Sequence, residues 1–119
     1  MYHEDWLMSQ IRLLAAAIAR AVFRRDAIVY EVGDNAAQSQ TDDLYRRLSA
    51  LLKAGQINEA EDLLFDALRP EDPDLLLLAV DFYQKLNALT DRELEQSNFS
   101  RAEILEGLTA VQHMYGLAL

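Results

Sequence analysis

Residues 72–89, "DPDLLLLAVDFYQKLNAL", describe a helix that is apolar almost all round. Asp72 places a capping carboxylate before Pro73, whose missing N–H costs nothing at the first helical position. A helix without a continuous polar face has to be covered on most of its sides. The stretch therefore predicts a central buried helix and an all-α fold.

The sequence on either side of this helix contains further helix starts and stops. The predicted N-caps are Thr41, Asn58, Thr90 with Glu93, and Ser100 with Glu103, and the predicted glycine stops are Gly55 and Gly116. In the Thr90 and Ser100 signals, a glutamate three residues on can reach back to the cap, as in a capping box. Short turns between consecutive helices predict antiparallel neighbours.

The first 25 residues predict a long amphipathic helix. From Glu4 to about Arg24, apolar residues recur every three or four positions, which aligns them in one stripe. The stripe consists of Leu7, Ile11, Leu14, Ile18 and Val22. Trp6, Leu13 and Phe23 lie outside it, on the flanks or the back. Apolar groups on more than one side predict that this helix contacts more than one neighbour.

The length of 119 residues predicts a single domain over 1–119 with one hydrophobic core. Within it we predict a basic amphipathic N-terminal helix over 1–25, a connector over 26–41 and an acidic helical body over 42–119. The connector is predicted from a brief β-favouring run that ends at Gly33 and is followed by small polar residues.

Charge is distributed unevenly along the chain. Four arginines against Glu4 and Asp5 give residues 1–25 a net charge of +2, so residues 26–119 carry −11 to make the total of −9. An acidic protein has little non-specific attraction for nucleic acid, because that affinity depends largely on neutralising phosphates. We expect no nucleic-acid partner.

The composition also bears on location. The chain has no cysteine, which excludes disulfides and thiolate sites and is compatible with a reducing cytoplasm. Glu4 and Asp5 stand where a secretory signal would carry positive charge. The most apolar run, residues 13–23, contains Arg20 and is about half of the ~20 residues that a membrane crossing needs. We therefore expect a cytoplasmic protein with little tendency to enter a membrane.

Candidate chemical groups are few. His3, Glu4 and Asp5 are adjacent, but consecutive helical residues point about 100° apart and cannot all face one ion. His113 is the only other histidine. No serine lies in a G-x-S-x-G elbow, and the four glycines are isolated from one another. The sequence predicts no catalytic residue, no cofactor and no metal site, and we expect no enzyme activity.

The stretch "GQINEAEDLLFDAL", residues 55–68, resembles the second half of a tetratricopeptide repeat. Its matching positions are Gly55, Ile57, Ala60, Leu64, Ala67 and Leu68. Small residues at Ala60 and Ala67 let two helices approach closely, which is why the motif needs them. No second copy follows at the period of about 34 residues. The resemblance implies one repeat-like hairpin within a compact, tetratricopeptide-like array of antiparallel helices.

A second resemblance spans nearly the whole chain. The segments "DWLMSQI", "GQINEAEDLLF" and "DFYQKLNALTDRELEQSNFSRAEILEGLTAVQHMYGL" resemble a family of small, uncharacterised bacterial proteins with a domain of unknown function. That resemblance implies a bacterial, all-helical, cytoplasmic protein. It implies no activity and no functional residue.

The first helix leads to the functional hypothesis. We expect a protein–protein interaction or structural module that forms a homodimer through this helix. The candidate interaction surface consists of Trp6, Leu13, Phe23, Arg12 and Arg20. Trp6, Leu13 and Phe23 can alternatively be core residues, covered by the acidic body packed around the long helix. Tryptophan and arginine often dominate the binding energy of interfaces.

Two alternatives remain open. The basic helix can instead lie on a membrane surface, with its arginines toward anionic lipid. The protein can also bind a small ligand or act as an enzyme through a pocket between the central and last helices, near Tyr83 and Tyr115.

Overall fold

A computed structural model describes residues 2–33 and 39–119, and within these ranges it is helical without any strand. The elements are α1 (Tyr2–Ile18) with a π-helical continuation (Ala19–Phe23), α2 (Ser39–Lys53), α3 (Ile57–Ala67), α4 (Pro73–Asn87), α5 (Asp91–Gln96) and α6 (Arg101–Met114). The all-α prediction with a long N-terminal helix is confirmed.

Helix α4 lies at the centre of the protein. It packs against α1, α2 and α6, and α1 also packs against α6. Its buried side chains are Leu75, Leu76, Leu78, Ala79, Val80, Asp81, Phe82, Tyr83, Leu86 and Asn87. The sequence therefore identified the buried helix correctly, because a helix with apolar groups on all sides needs cover on all sides.

Three predicted caps are confirmed. The Asp72 carboxylate accepts hydrogen bonds from the Asp74 and Leu75 backbone N–H groups at 2.9 and 3.3 Å. Thr90 with Glu93 and Ser100 with Glu103 form complete capping boxes at the starts of α5 and α6. These signals are local, because each joins groups at most three residues apart.

Two other cap predictions are wrong. Helix α2 begins at Ser39, so Thr41 lies inside its first turn and is buried rather than capping. Helix α3 begins at Ile57 after Gln56, which makes no side-chain cap. The Asn58 side chain instead donates to the Asn98 carbonyl at 3.2 Å.

The first helix changes character at its C-terminal end. Residues Ala19–Phe23 form a π-helical turn, and Arg24 then adopts a left-handed conformation with φ of 57°. The backbone N–H of Arg25 donates to the Ala19 carbonyl at 3.1 Å. This turn ends the helix and leads the chain into an extended segment, residues 27–33, whose Ile28 and Tyr30 side chains are buried.

The predicted connector over 26–41 is thus attached to the core in its first part, and its last residues belong to α2. Residues 34–38 of that prediction lie outside the described residues. One core cluster contains buried residues from α1, from the extended segment and from α2 to α6. Ile57, Ala60 and Leu64 of the α2–α3 hairpin are buried in it, while the tetratricopeptide-like arrangement stays a prediction.

Candidate functional site

The exposed face of α1 carries most of the predicted interaction surface. Trp6 and Leu13 expose 55% and 60% of their surface. They are seven residues apart, so they lie within about 20° of each other round the helix. Together with the exposed side chains of Arg12 and Arg20 they form what we call the α1 surface. The buried stripe of the same helix, which includes Leu7, Ile11 and Ile18, faces the core.

Phe23 does not belong to the α1 surface. Its side chain is half-buried and packs against the core from the π-helical turn. The extra residue that a π turn inserts rotates the positions after it, so a wheel drawn with 3.6 residues per turn misplaces Phe23. Of the five predicted surface residues, Trp6, Arg12 and Leu13 are exposed on α1, and Arg20 is exposed on its π-helical continuation.

An open groove of about 610 Å³ runs beside α1. One wall is formed by α1 and the other by residues 26–29, with the end of α4 at its base. Its lining consists of Met8, Ile11, Arg12, Ala15, Ala16, Asp26, Ala27, Ile28, Val29, Gln84, Asn87 and Ala88. The groove exists because the turn at Arg24 brings the chain back alongside α1.

Arg101 is a buried cation at the start of α6, with 2% of its surface exposed. Its guanidinium donates to the Asn87 and Leu89 carbonyls at 2.7 and 2.9 Å. It also pairs with Asp91 at 2.7 Å and with Glu4 at 3.4 Å. Groups from α1, α4, α5 and the chain after α4 therefore all bind the Arg101 guanidinium. Its five N–H donors point in several directions, so it can bind several acceptors at once.

Tyr83 fills the space between α4 and α6 where the sequence had suggested a pocket. Its ring is fully buried, and a Cβ atom built on Gly107 would lie 2.5 Å from its Cζ. Its hydroxyl donates to the Glu61 carboxylate at 2.6 Å. Burial raises the pKa of Glu61, and the nearby carboxylate of Glu103 raises it further.

Tyr115 lies at the end of α6. Its hydroxyl donates to the Asp72 carbonyl at 3.0 Å, which joins the end of α6 to the start of α4. Burial, followed by the negative charge of Asp72, raises the pKa of Tyr115 to about 12. Its phenol is therefore neutral at physiological pH and acts as a structural donor.

A third tyrosine holds the extended segment on the core. The Tyr30 hydroxyl donates to the buried Asp42 carboxylate, which also accepts from the Gly33 backbone N–H at 3.1 Å. The Tyr30 ring stacks on Tyr45, with centroids 5.0 Å apart. The Lys85 ammonium lies 4.5 Å from the Tyr45 centroid. These contacts fix the segment that forms the outer wall of the groove.

Metal chemistry has no candidate in the part of the chain that the structure describes, where no three His, Asp or Glu side chains are grouped to hold an ion. Of the adjacent residues His3, Glu4 and Asp5, which were not expected to bind an ion together, His3 lies outside the described side chains. Glu4 of that triplet instead pairs with Arg101.

One helical segment among the described residues, Glu4–Phe23, is long and apolar enough to cross a membrane by length and composition alone. It is longer than the apolar run 13–23 considered from the sequence. A helix that packs into a soluble core passes the same test. Leu7, Ile11 and Ile18 of this segment are buried at 5% exposure or less against the rest of the protein.

Comparison with known protein families matches residues 1–116 to DUF6483, a family of unknown function. The chain belongs to DUF6483. The match covers α1, the extended segment and α2 to α6, so the helical unit described above is the unit that defines the family. Comparison of this DUF6483 chain with curated proteins and with solved structures found no match.

Sequence reasoning missed two features of the DUF6483 chain. Arg101 follows a helix cap and looks like an ordinary surface cation, yet its partners lie up to 97 residues away. The groove is built from α1, residues 26–29 and α4, and no local pattern joins them. The only sequence signal for the groove was the change of character after Arg25, where the helical pattern stops.

Proposed function

We propose that this DUF6483 protein is a non-enzymatic protein–protein interaction module that forms a homodimer through the α1 surface. The observation that carries the proposal is the exposure of Trp6 and Leu13 on one line of the helix. Exposed apolar side chains that lie together on one face, with charged residues beside them, often mark a protein–protein contact site. Tryptophan contributes strongly when an interface buries it.

The distribution of charge along α1 favours a second copy as the partner. The acidic residue Asp5 lies in its first turn, whereas Arg20 lies in the π-helical continuation at its other end. Trp6 lies seven residues before Leu13 on α1, and Arg20 lies at the opposite end of the α1 surface, in the π-helical continuation. If two α1 helices cross antiparallel at Leu13, Trp6 and Asp5 of one helix lie beside Arg20 of the other.

This pairing joins opposite charges and places a guanidinium near an indole ring, both of which stabilise an interface. A parallel pairing would place Arg20 against Arg20 and Asp5 against Asp5, which costs energy. Ala16 and Ala17 next to the line of Leu13 are small, so the two helix backbones can approach closely. The antiparallel homodimer is therefore the arrangement we propose.

The core contacts of α1 disfavour insertion into a membrane. Lipid insertion would remove Leu7, Ile11 and Ile18 from contact with the rest of the protein, and the Glu4 to Arg101 ion pair would be lost as well. The cytoplasmic location and the bacterial origin expected from the sequence stay predictions. So does the tetratricopeptide-like character of the α2–α3 hairpin.

The test is sedimentation of the full chain across micromolar concentrations, with Leu13→Glu as the variant. We expect a dimer whose dissociation constant rises at least about tenfold in Leu13→Glu, because two carboxylates would be buried at the crossing point. Met114→Glu is the matched control, since Met114 is an exposed apolar residue on α6. It should leave the dimer unchanged.

A monomer at all concentrations would overturn the proposal, as would a dimer that Leu13→Glu does not weaken. Flotation with vesicles rich in anionic lipid is run in parallel. Binding to vesicles by a chain that remains monomeric would favour the membrane-surface alternative instead. Circular dichroism of each variant shows whether α1 remains folded.

A further inference from the structure

We propose that the groove between α1 and residues 26–29 binds a linear amphiphile with an anionic carboxylate head, such as a medium-chain fatty acid. The volume of about 610 Å³ lies within the usual range for sites that take small organic molecules. The groove adjoins the dimer surface, since Arg12 and Ala16 line it, whereas Trp6, Leu13 and Arg20 do not. Binding of a small molecule there is an activity distinct from dimer formation. The proposal therefore goes beyond the proposed function.

The walls of the groove are suited to a hydrocarbon tail. The accessible apolar side chains are Met8 and Ala16 on the α1 side and Ala27 and Val29 on the opposite side. Ile11, Ala15 and Ile28 lie beneath them and are already buried. Contact with apolar side chains on both sides would remove the tail from water, which stabilises binding at roughly 25 cal/mol for each Å² buried. Val29 exposes 63% of its surface at this wall, so a bound tail would cover apolar area that water now contacts.

The amide groups at the base of the groove are already engaged within the protein. Gln84 Nε2 donates to the Ile28 carbonyl at 2.6 Å, and Asn87 Nδ2 donates to the Met8 carbonyl at 3.2 Å. The Asn87 side-chain oxygen accepts from Arg101 at 3.2 Å. Because these groups are satisfied, a tail can lie over them without breaking a hydrogen bond or leaving one unmade.

Two charged residues on the lining give the groove a polarity. Arg12 is exposed, lines the groove, and makes no ion pair within the part of the chain described by the structure. The same holds for Asp26. A carboxylate head is attracted to the Arg12 guanidinium, which can bind it through two parallel hydrogen bonds, and is repelled by Asp26. We place the head group at Arg12 because the planar guanidinium matches a carboxylate with two hydrogen bonds, a geometry that the Asp26 carboxylate does not offer to a cationic head.

The experiment is calorimetric titration of the full-length protein with decanoate below its micelle concentration, and with decanol as the uncharged probe of equal length. We expect saturable one-to-one binding of decanoate. Arg12→Gln should weaken decanoate binding about tenfold or more, since it removes a charge-assisted hydrogen bond, and should leave decanol binding nearly unchanged. Arg92→Gln, on the exposed surface of α5, is the matched control and should bind decanoate like the unchanged protein.

A second pair of variants tests the place of the tail. Ala16→Leu projects a larger side chain into the groove, and Val29→Asp adds a charge to its wall at an exposed position. Both should abolish binding of either probe, and Val29→Asp remains informative if Ala16→Leu fails to fold. Absence of saturable binding would overturn the proposal. Equal binding of decanoate by the Arg12→Gln protein, or binding retained by Val29→Asp, would do so too.

Discussion

Arg101 Nη1 donates a hydrogen bond to the Asn87 carbonyl oxygen at 2.7 Å, so the first residue of α6 closes the last turn of α4. The C-terminal carbonyls of a helix have no partner inside the helix. At the end of α4 the Asn87 and Arg101 side chains are buried, at 6% and 2% exposure. The buried cation supplies the donors that water would otherwise provide.

Replacing this arginine should destabilise the protein strongly. In Arg101→Leu the Asn87 and Leu89 carbonyls lose their guanidinium donors, and we expect the free energy of unfolding to fall by about 2–4 kcal/mol. Urea denaturation followed by circular dichroism measures the change. Arg92→Leu, in which an exposed arginine is changed on α5, should alter the free energy of unfolding by about 0.5 kcal/mol or less. Equal effects of the two variants would contradict the role of Arg101.

The contact between Gly107 and Tyr83 permits no larger side chain on α6. In Gly107→Ala the new methyl group would overlap the Tyr83 ring, and we expect a loss of about 1–3 kcal/mol in stability despite the better helix propensity of alanine. Thermal unfolding measures it. The stability lost through Gly107→Ala should be smaller when Tyr83→Leu is already present than when it is made in the unchanged protein, because the smaller leucine side chain leaves room for the methyl group. Additive losses would show that the two positions do not interact.

Glu61 should make stability depend on pH in a defined direction. Burial raises its pKa in the folded protein above the ordinary value of 4.5, so the folded state holds this proton more tightly than the unfolded state does. Its contribution to the free energy of unfolding therefore falls as pH rises from about 4.5 through the raised pKa. Below 4.5 both states are protonated at this site, and the contribution is constant.

The variant Glu61→Gln removes this titration while keeping an oxygen that accepts from the Tyr83 hydroxyl. The stability of Glu61→Gln relative to the unchanged protein should accordingly increase with pH across that window and then level off. Denaturation at a series of pH values measures the difference. Glu59→Gln, at an exposed position on the same helix, is the control and should give a flatter difference. A difference that falls as pH rises would show the sign to be wrong.

The antiparallel dimer predicts a charge-reversal pattern. Asp5→Arg and Arg20→Asp should each weaken the dimer about two- to fivefold, since each places like charges side by side in the crossed helices. The combined variant restores opposite charges across the interface and should recover part of the affinity. Sedimentation equilibrium measures the dissociation constants. Additive weakening in the combined variant would instead indicate another orientation of the two helices.

The parts of the fold that follow from local chemistry were predictable from the sequence. Asp72, Thr90 and Ser100 cap their helices because the groups they bind lie within three residues of them. The buried character of α4 follows from the absence of a polar face. Each of these inferences needs only neighbours along the chain.

The predictions that were wrong depend on distant partners. The Asp42 carboxylate accepts hydrogen bonds from the Tyr30 hydroxyl and the Gly33 backbone N–H, which holds the start of α2 against the core. Thr41 and Asp42 are therefore both buried, and neither caps α2. The Asn58 amide binds a carbonyl 40 residues away. Phe23 turns toward the core because a π-helical turn shifts its position. Within the candidate site, helical periodicity was enough to predict that Trp6 and Leu13 are exposed. The groove could not be predicted, because the sequence does not show that residues 26–29 lie alongside α1.

The contact of α1 with α6 has a consequence for synthesis of the chain. Helix α1 is synthesised before α6, yet Glu4 of α1 pairs with Arg101 of α6, 97 residues later. Until α4 and α6 emerge, Leu7, Ile11 and Ile18 have no core to enter. The tertiary contacts of α1 therefore form only after α6 has been synthesised, and the apolar stripe of α1 is uncovered until then.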